Sequence, residues 1–391
     1  HYFDDKNYNV ELVKCPNCDW FGTKRDLKQN VCPFCGSNLS DEDPWPNMIR
    51  PWGFAPLNAQ PVSSGQFIEQ YSSAIPPMYS DLPKGDMQPV AKCKHIRKAI
   101  RSDQNIIMLN RGPLNKGYTF CPDCGAMMPG DDPQKALKGV KQPYYSKYSC
   151  KHTNAEVVNL GFQFRTDMLV LEFTLDPTKI STDLKENLWL KRASISLSEA
   201  LHLTAGKMLD VELLELEAGS RIRKTKGGCF VDIYLYDSLS SGAGYSAHVA
   251  DDLPGLLHET ICFLEGCTCE RACFNCLKRY GNQRIHDSLD RHAAVELLRW
   301  GINGEIKSGY STKQQITLLK PLTEILSEYE IRLETNMSGI LLNRRGIKKR
   351  LVIYPAMWSE PQSTSDKFYV SDFAVKEARP YAVDKIRNQF A

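Results

Sequence analysis

The sequence predicts an α+β fold: a mixed sheet-and-helix domain carrying zinc-ribbon and zinc-knuckle modules. Three observations predict it. Ten of the fourteen cysteines fall in pairs separated by one or two residues. Between about residues 156 and 300, strand-like runs and helix-like spacings succeed one another. The composition is globular, with 42% hydrophobic and 24% charged residues, which excludes wholesale disorder and collagen-like structure. At 391 residues the chain has room for two or three domains and a sizeable core without disulfide staples. No apolar run reaches about 18 residues, so no membrane span is expected. Lys and Arg number 49 against 46 Asp and Glu, a net +3 that identifies no polyanion partner; only local clusters can do that.

The cysteine spacing decides the chemistry. The pairs are Cys15/Cys18, Cys32/Cys35, Cys121/Cys124, Cys267/Cys269 and Cys273/Cys276. Pairs that close rarely bridge each other; they aim two thiolates at one centre, as a tetrahedral zinc site requires. A reducing, cytoplasmic setting follows as an expectation. The chain starts at His1 with no charged-then-apolar leader, so a secretory signal is expected to be absent or already removed. The same start leaves open a longer parent chain.

Residues 1–40 read as a zinc ribbon: Cys15-Pro-Asn-Cys18, thirteen residues, then Cys32-Pro-Phe-Cys35-Gly36. Residues 41–155 read as a wrapping segment with a second zinc knuckle. Its first part is rich in Pro, Ser and Asn, with aromatics Trp45, Trp52, Phe54, Phe67 and Tyr71. The knuckle Cys121-Pro-Asp-Cys124-Gly125 needs two more ligands. Cys150 and His152 lie downstream, and Cys93 and His95 form the same triplet upstream. The downstream pair is favoured because its loop is shorter to close; the upstream pair stays open. Residues 156–300 form an α+β domain. Met168–Leu175, Val211–Leu216 and Phe230–Tyr236 read as strands. Ile195–Leu209, Leu253–Leu264 and His286–Trp300 read as helices. Cys267, Cys269, Cys273 and Cys276 converge on a third centre, zinc by preference, with an iron–sulfur cluster as the alternative. Cys229 and Cys262 lack a close partner and are expected in the core. Residues 301–391 form an α/β tail of unknown role, with a helix at Lys313–Tyr329 and a strand at Leu351–Tyr354.

Four further stretches carry a resemblance: Asn159-Leu-Gly-Phe-Gln-Phe-Arg-Thr-Asp167, Tyr236-Asp-Ser-Leu-Ser-Ser-Gly-Ala-Gly-Tyr245, the 267–276 cysteines, and Asn282-Gln283 with His286 and Leu289-Asp290-Arg291. Together they resemble the MrfA-type zinc-binding domain at the C-terminal end of superfamily 2 DEAD/DEAH-box DNA helicases of bacterial DNA repair and anti-phage defence. Arg50-Pro-Trp-Gly-Phe54 and Asn110-Arg-Gly-Pro113 resemble the region preceding that domain in long defence-type helicases. The resemblance implies zinc on Cys267, Cys269, Cys273 and Cys276. It also implies a motor, which these residues do not supply. A phosphate-cradling loop needs GxxxxGK[ST]. Here the only Gly-Lys pair, Gly206-Lys207, is followed by Met208, with Leu201 in place of the first Gly. Asp41-Glu42-Asp43 resembles a DEAD-type box but ends no apolar strand. The chain is therefore expected to be the C-terminal part of such a helicase, or a separate partner of one.

No other catalytic pattern is complete. His258-Glu259 lacks the second zincin histidine, with Cys262 in its place. The Gly-rich loop at 238–245 reads as a tight turn ahead of a phosphate cradle, Asp237 as a cap, and His286 as a capping or packing residue. Basic runs offer a polyanion face: Arg221, Arg223, Lys224 and Lys226; Arg344, Arg345, Lys348, Lys349 and Arg350; and Lys92, Lys94, Arg97, Lys98 and Arg101. Tyr144, Tyr145 and Tyr148 stand beside Lys141 and Lys147. Cations contact phosphates and aromatic rings stack bases. The expected function is a non-catalytic module with three zinc ions that grips single-stranded or junction DNA with low specificity beside a helicase motor, in cis or in trans. The alternative is a protein–protein scaffold of a defence complex, with the 41–90 aromatics as contact surface.

Overall fold

The computed structural model describes residues 9–18, 20–39, 45–51, 74–79 (backbone), 87–130, 137–143, 147–212, 214–238, 244–336 and 339–390. The ribbon contributes β1 (Asn9–Val10) and a two-stranded sheet of its own, β2 (Leu12–Lys14) with β3 (Phe21–Thr23). Then come β4 (Asn47–Ile49), β5 (Ala74–Tyr79), β6 (Gln88–Pro89), β7 (Ile96–Asn110), β8 (Tyr118–Phe120), β9 (Met127–Pro129) and β10 (Glu156–Leu175). Helix α1 (Trp189–Leu209) leads into the hairpin β11 (Leu216–Thr225) and β12 (Gly228–Asp237), followed by α2 (Tyr245–Val249), α3 (Leu253–Glu265) and α4 (Arg291–Asn303).

The 20-residue β10 is the spine. It pairs parallel with β4 and antiparallel with β7, β8 and β12, and β1, β5, β6, β9 and β11 extend those partners into one ten-stranded sheet. That sheet draws strands from three of the four segments expected from sequence. Alternation along β10 explains its two faces. Leu169, Leu171, Phe173 and Leu175 join Val231, Ile233 and Leu235 of β12 beneath α1, α3 and α4 in the main core. Met168 and Val170 turn the other way, onto Tyr234 and Tyr236. Both faces are buried, so the run reads as continuously apolar.

The tail is a second unit with its own core. Helix α5 (Thr312–Glu328) precedes β13 (Ile331–Asn336), β14 (Gly339–Arg344), β15 (Ile347–Tyr354) and β16 (Lys367–Ser371), which lie side by side in chain order. Helices α6 (Asp372–Glu377) and α7 (Arg379–Arg387) complete it. Leu319, Leu322 and Leu326 of α5 meet Ile340, Leu342, Leu351, Ile353, Phe368 and Val370 of the sheet. The segment after β15 docks on the first unit: Ser181 N donates to Met357 O at 2.8 Å, and Asn187 Nδ2 to Ala356 O at 2.7 Å. Glu377 pairs with Arg192 and with Arg271, which lies inside the third cysteine cluster.

Several boundaries differ from expectation. The strand expected over Val211–Leu216 begins only at Leu216: Asp210 ends α1 in the left-handed region at φ 53°, and Glu215 N returns to Glu212 O ahead of β11. The helix expected from His286 starts at Arg291, where the Asp290 carboxylate accepts from His292 N and Ala293 N; residues 280–288 form a 3-10 stretch. Cys229 is buried as expected, but Cys262 is exposed, with Sγ 3.7 Å from His258 Nε2. Trp45 packs within the chain, its ring 5.0 Å from Phe21 and under the Arg111 guanidinium at 4.1 Å. Trp52, Phe54, Phe67 and Tyr71, the 41–43 acidic run, Tyr144 and Tyr145, and loop residues 239–243 lie outside the described residues.

Gly161 sits where β4, β7 and β10 converge. A Cβ there would lie 2.3 Å from the Met108 carbonyl oxygen and 2.7 Å from Met48 Sδ. The carbonyl is ladder backbone and cannot swing aside. Gly161→Ala is therefore expected to cost about 1–3 kcal/mol, read as a lower thermal midpoint with zinc content unchanged; an unaltered midpoint would mean the three strands can separate freely at that point.

Candidate metal centres and their surroundings

Three clusters each bring four ligand atoms within 4.8 Å of one another: Cys15, Cys18, Cys32 and Cys35; Cys121, Cys124, Cys150 and His152; Cys267, Cys269, Cys273 and Cys276. Zn–S bonds of about 2.3 Å in a tetrahedron place sulfurs about 3.8 Å apart. The observed Sγ···Sγ separations are 3.6 Å (Cys15–Cys35), 3.5 Å (Cys18–Cys32), 3.5 Å (Cys267–Cys273), 3.7 Å (Cys269–Cys276) and 3.9 Å (Cys273–Cys276). A disulfide would need about 2.05 Å. His152 turns Nδ1 to Cys121 Sγ at 3.5 Å and Cys150 Sγ at 3.8 Å, close to the ~3.6 Å that mixed Zn–N and Zn–S bonds imply. The donor sets fit zinc, and the protein has three zinc sites.

Local structure builds each knuckle. Gly36 and Gly125 follow the second cysteine of their pairs with φ of 74° and 75°, a left-handed turn that glycine adopts without strain. The turn returns Gly36 N to Cys32 O at 3.0 Å and Gly125 N to Cys121 O at 2.8 Å. In the third cluster Cys273 N donates to Cys276 Sγ at 3.2 Å. Burial pushes the Cys124 and Cys269 thiols up to about 12. Cys35 is lowered to about 7: burial raises it, but the hydroxyl and amide of Ser37 outweigh that. The Cys269 amide, then neighbouring thiols, lower Cys267 to about 7. The ribbon and the third cluster thus each hold one sulfur that ionises near neutrality, beside others that need a cation's charge to lose their protons.

The second centre is closed by the downstream pair. Cys93 packs against the main core, and His95 stacks on Trp300 with centroids 4.4 Å apart and planes 6° from parallel. Burial, then Lys94, lowers the His95 pKa, as suits a neutral stacked ring. His286 is a packing residue: Nε2 lies 2.9 Å from Asn282 Oδ1 and 3.1 Å from Arg279 O, and the ring stands edge-on to Phe274 inside the third knuckle. Asp237 is a cap, accepting from Gly244 N at 2.6 Å and Ser246 N at 2.9 Å.

The first basic run is divided by the sheet. Arg221 and Arg223, expected on a polyanion face, lie within β11 and are buried, at 5% and 6% exposure. Both donate to Asp232 Oδ2, at 2.8 and 3.0 Å, and Arg223 also reaches Glu172, which pairs in turn with Arg97. The ribbon covers Arg221, whose guanidinium lies 4.9 Å from the Phe34 ring inside the Cys32–Cys35 knuckle, while the Arg223 guanidinium lies 4.4 Å from the Phe230 ring of β12. Burial alone would raise the Asp232 pKa, but the two arginines hold it below the usual carboxylate range. Lys226 remains exposed and Lys224 half-exposed. In the tail, Arg345 pairs with Glu330, Lys348 with Glu334, and Arg344 donates to Phe390 O, while Lys349 is half-buried. In the third run Arg97 and Lys98 are engaged, Lys98 Nζ with Ala250 O, and Lys92 and Lys94 are exposed.

Residues missed from sequence hold the third centre in place. Glu199 and His202, one turn apart on α1, receive Arg279 at 2.5 and 3.2 Å, and Glu199 also accepts from Asn282 at 2.8 Å. Their i, i+3 spacing on one helix face was the available signal.

Residues 197–277 match the family model of the MrfA Zn-binding domain, so the chain carries that domain, and the third centre lies inside it. The match favours zinc over an iron–sulfur cluster there. Over 335 residues, 81% of its length, the chain is 30% identical to Druantia protein DruE of Escherichia coli (strain UMEA 4076-1). Those residues make up 18% of DruE, so the chain spans about a fifth of that relative. Among solved structures, the DUF1998 helicase MrfA bound to DNA is similar at 12% identity and a TM-score of 0.35, over 58% of this chain and 25% of that one. The same helicase bound to DNA and AMPPNP gives 11%, 0.28, 52% and 22%. No helix of the described residues is long and apolar enough to cross a membrane.

Elemental analysis of the purified protein is expected to give three zinc ions per chain and little iron. His152→Ala should lower the count to two; Cys273→Ser should weaken or empty the third site only. A wild-type value of one or less would refute the assignment. Asp232→Ala leaves two buried guanidiniums short of their shared carboxylate and should cost about 3–5 kcal/mol in denaturant unfolding; a loss under about 1 kcal/mol would mean that water reaches them.

Proposed function

We propose that this chain is a non-catalytic, zinc-stabilised nucleic-acid-binding module of an ATP-dependent DNA helicase system in bacterial defence or DNA repair, acting with a superfamily 2 motor in cis or in trans. The observation that carries the reading is the MrfA Zn-binding domain at 197–277, with its four cysteines drawn into one tetrahedral set. Likeness to DruE over four-fifths of the chain supports the defence side of it. The zinc centres act structurally: each closes a knuckle that could not hold its shape alone. The gripping cations are those left at the surface: Lys224 and Lys226 at the β11–β12 turn, and Arg344, Arg345, Lys348 and Lys349 at the β14–β15 hairpin. The Arg345–Glu330 and Lys348–Glu334 pairs are exposed, so solvent screens each pair and its cation exchanges readily for a phosphate.

The scaffold reading rests on a different observation. Phe274 and Tyr280, flanking the last zinc cysteine, are 69% and 88% exposed, as at a protein contact. Salt separates the two. Binding of a labelled oligonucleotide is expected to weaken steeply with salt. Reversing Lys224 with Lys226, or Arg345 with Lys349, should flatten the log–log slope by roughly 0.7–0.9 for each phosphate that is no longer neutralised. The chain alone should hydrolyse no ATP, with or without DNA. Absence of oligonucleotide binding even at low salt would favour the scaffold; DNA-stimulated ATP turnover by the purified chain would overturn the non-catalytic reading.

A further inference from the structure

One face of the tail sheet is covered by helices; the other is exposed except at its end, where Tyr354 and Ser371 are buried. Helices α5, α6 and α7 close over Ile331, Ile340, Leu342, Leu351, Ile353, Phe368 and Val370. Strand alternation sends Arg332, Glu334, Lys348, Arg350, Lys367 and Tyr369 to the opposite face, and none of these six is buried. The register brings them together. Asn343 of β14 lies between Arg332 and Lys348 on the adjoining strands. Glu334 opposes Leu341, Leu341 opposes Arg350, and Arg350 opposes Lys367. Tyr369 stands two residues beyond Lys367, opposite Val352, and Lys367 Nζ lies 4.9 Å from its ring centre.

The charge on this face is unbalanced. Among the described residues its single carboxylate, Glu334, accepts from Lys348 Nζ and from Asn343 Nδ2, both at 2.7 Å. Among the described residues, Arg332, Arg350 and Lys367 have no carboxylate partner. Arg350 and Lys367 hold paired positions on the parallel strands β15 and β16, and like charges so placed repel one another. A bare sheet face with opposed cations carries a folding cost that a bound polyanion would relieve. A ring among those cations narrows the polyanion: stacking on Tyr369 needs an unpaired base, which a duplex does not offer.

We propose that the outer face of β13–β16 is a binding surface for single-stranded nucleic acid, with phosphates on Arg332, Arg350 and Lys367 and a base stacked on Tyr369. It rests on the nucleic-acid reading above but locates the grip on the sheet face, away from the β11–β12 turn. The test uses the 391-residue chain, fluorescein-labelled oligo-dT and oligo-U, and an unlabelled hairpin duplex and polyglutamate as competitors. Arg332→Glu with Arg350→Glu should flatten the salt slope by about 1.4, the share of two single-strand phosphates. Tyr369→Ala should weaken binding roughly tenfold with the slope unchanged, as removal of one stacked base would. Zinc content and melting curves check that both variants fold. For a measurement needing no variant, photocrosslinking of 5-iododeoxyuridine or 5-iodouridine oligomers to the wild-type chain should label Tyr369 or its neighbours on β15 and β16. Wild-type binding with crosslinks only elsewhere, or with both variants unchanged, overturns this surface and leaves the broader reading standing. No oligonucleotide binding at all overturns both. Polyglutamate competing as well as the oligomers, with Tyr369→Ala silent, would identify an acidic protein as the occupant and overturn the proposal.

Discussion

The rest of the structure hangs on the pairing of one strand. β10 is long enough, at 20 residues, to hold β4 and β12 along one edge and β7 and β8 along the other. The ribbon reaches it through β1 and β4, the second knuckle through β8 and β9, and the MrfA Zn-binding domain through β12. A strand carrying that many partners has little freedom to slip, because a one-residue shift would exchange Leu169, Leu171 and Phe173 for Met168, Val170 and Glu172 on the helix side. The pairing with β7 runs on through a bulge between Thr166 and Met168, and the pairing with β12 begins at Met168.

Zinc and buried charge divide the remaining stabilisation. The knuckles are short of apolar residues and gain their order from metal–ligand bonds. Their attachment to the sheet is another matter. Arg221, held by Asp232, presents a flat guanidinium to Phe34 of the ribbon, and Arg223, held by Asp232 and Glu172, lies beside it against Phe230. A guanidinium suits such a contact because it can bond a carboxylate in its plane while an aromatic ring packs on its face. At the other end of the molecule, Glu377 binds Arg192 and Arg271 and so ties the tail to the loop of the third centre. The ion pairs thus join units that zinc shapes one at a time.

This arrangement bears on what the module can do. The cations that read most plainly as a nucleic-acid grip in the sequence, Arg221 and Arg223, serve assembly. The surface cations sit on hairpin turns and on the open face of the tail sheet, where the neighbouring carboxylates among the described residues are exposed and weakly held.

Read alone, the sequence determined the metal chemistry. Cysteine pairs one or two residues apart, two of them followed by glycine, can hardly do anything other than form knuckles, and that is a local property. It also determined the strands Met168–Leu175 and Phe230–Tyr236 and the helices Leu253–Leu264 and Lys313–Tyr329, whose patterns are clean over several turns or pleats. The Asp290 cap was there to be read, and it would have started α4 five residues later than the apolar periodicity did. Tertiary structure decided what depends on partners distant in the chain. It chose Cys150 and His152 over Cys93 and His95, whose imidazole is spent on Trp300. It merged strands from three segments into one sheet, since β4 and β8 are three residues each and mean nothing until β10 lies beside them. It also buried Arg221 and Arg223, because whether an arginine faces water or a carboxylate is set by which strand and which ribbon come to rest against it.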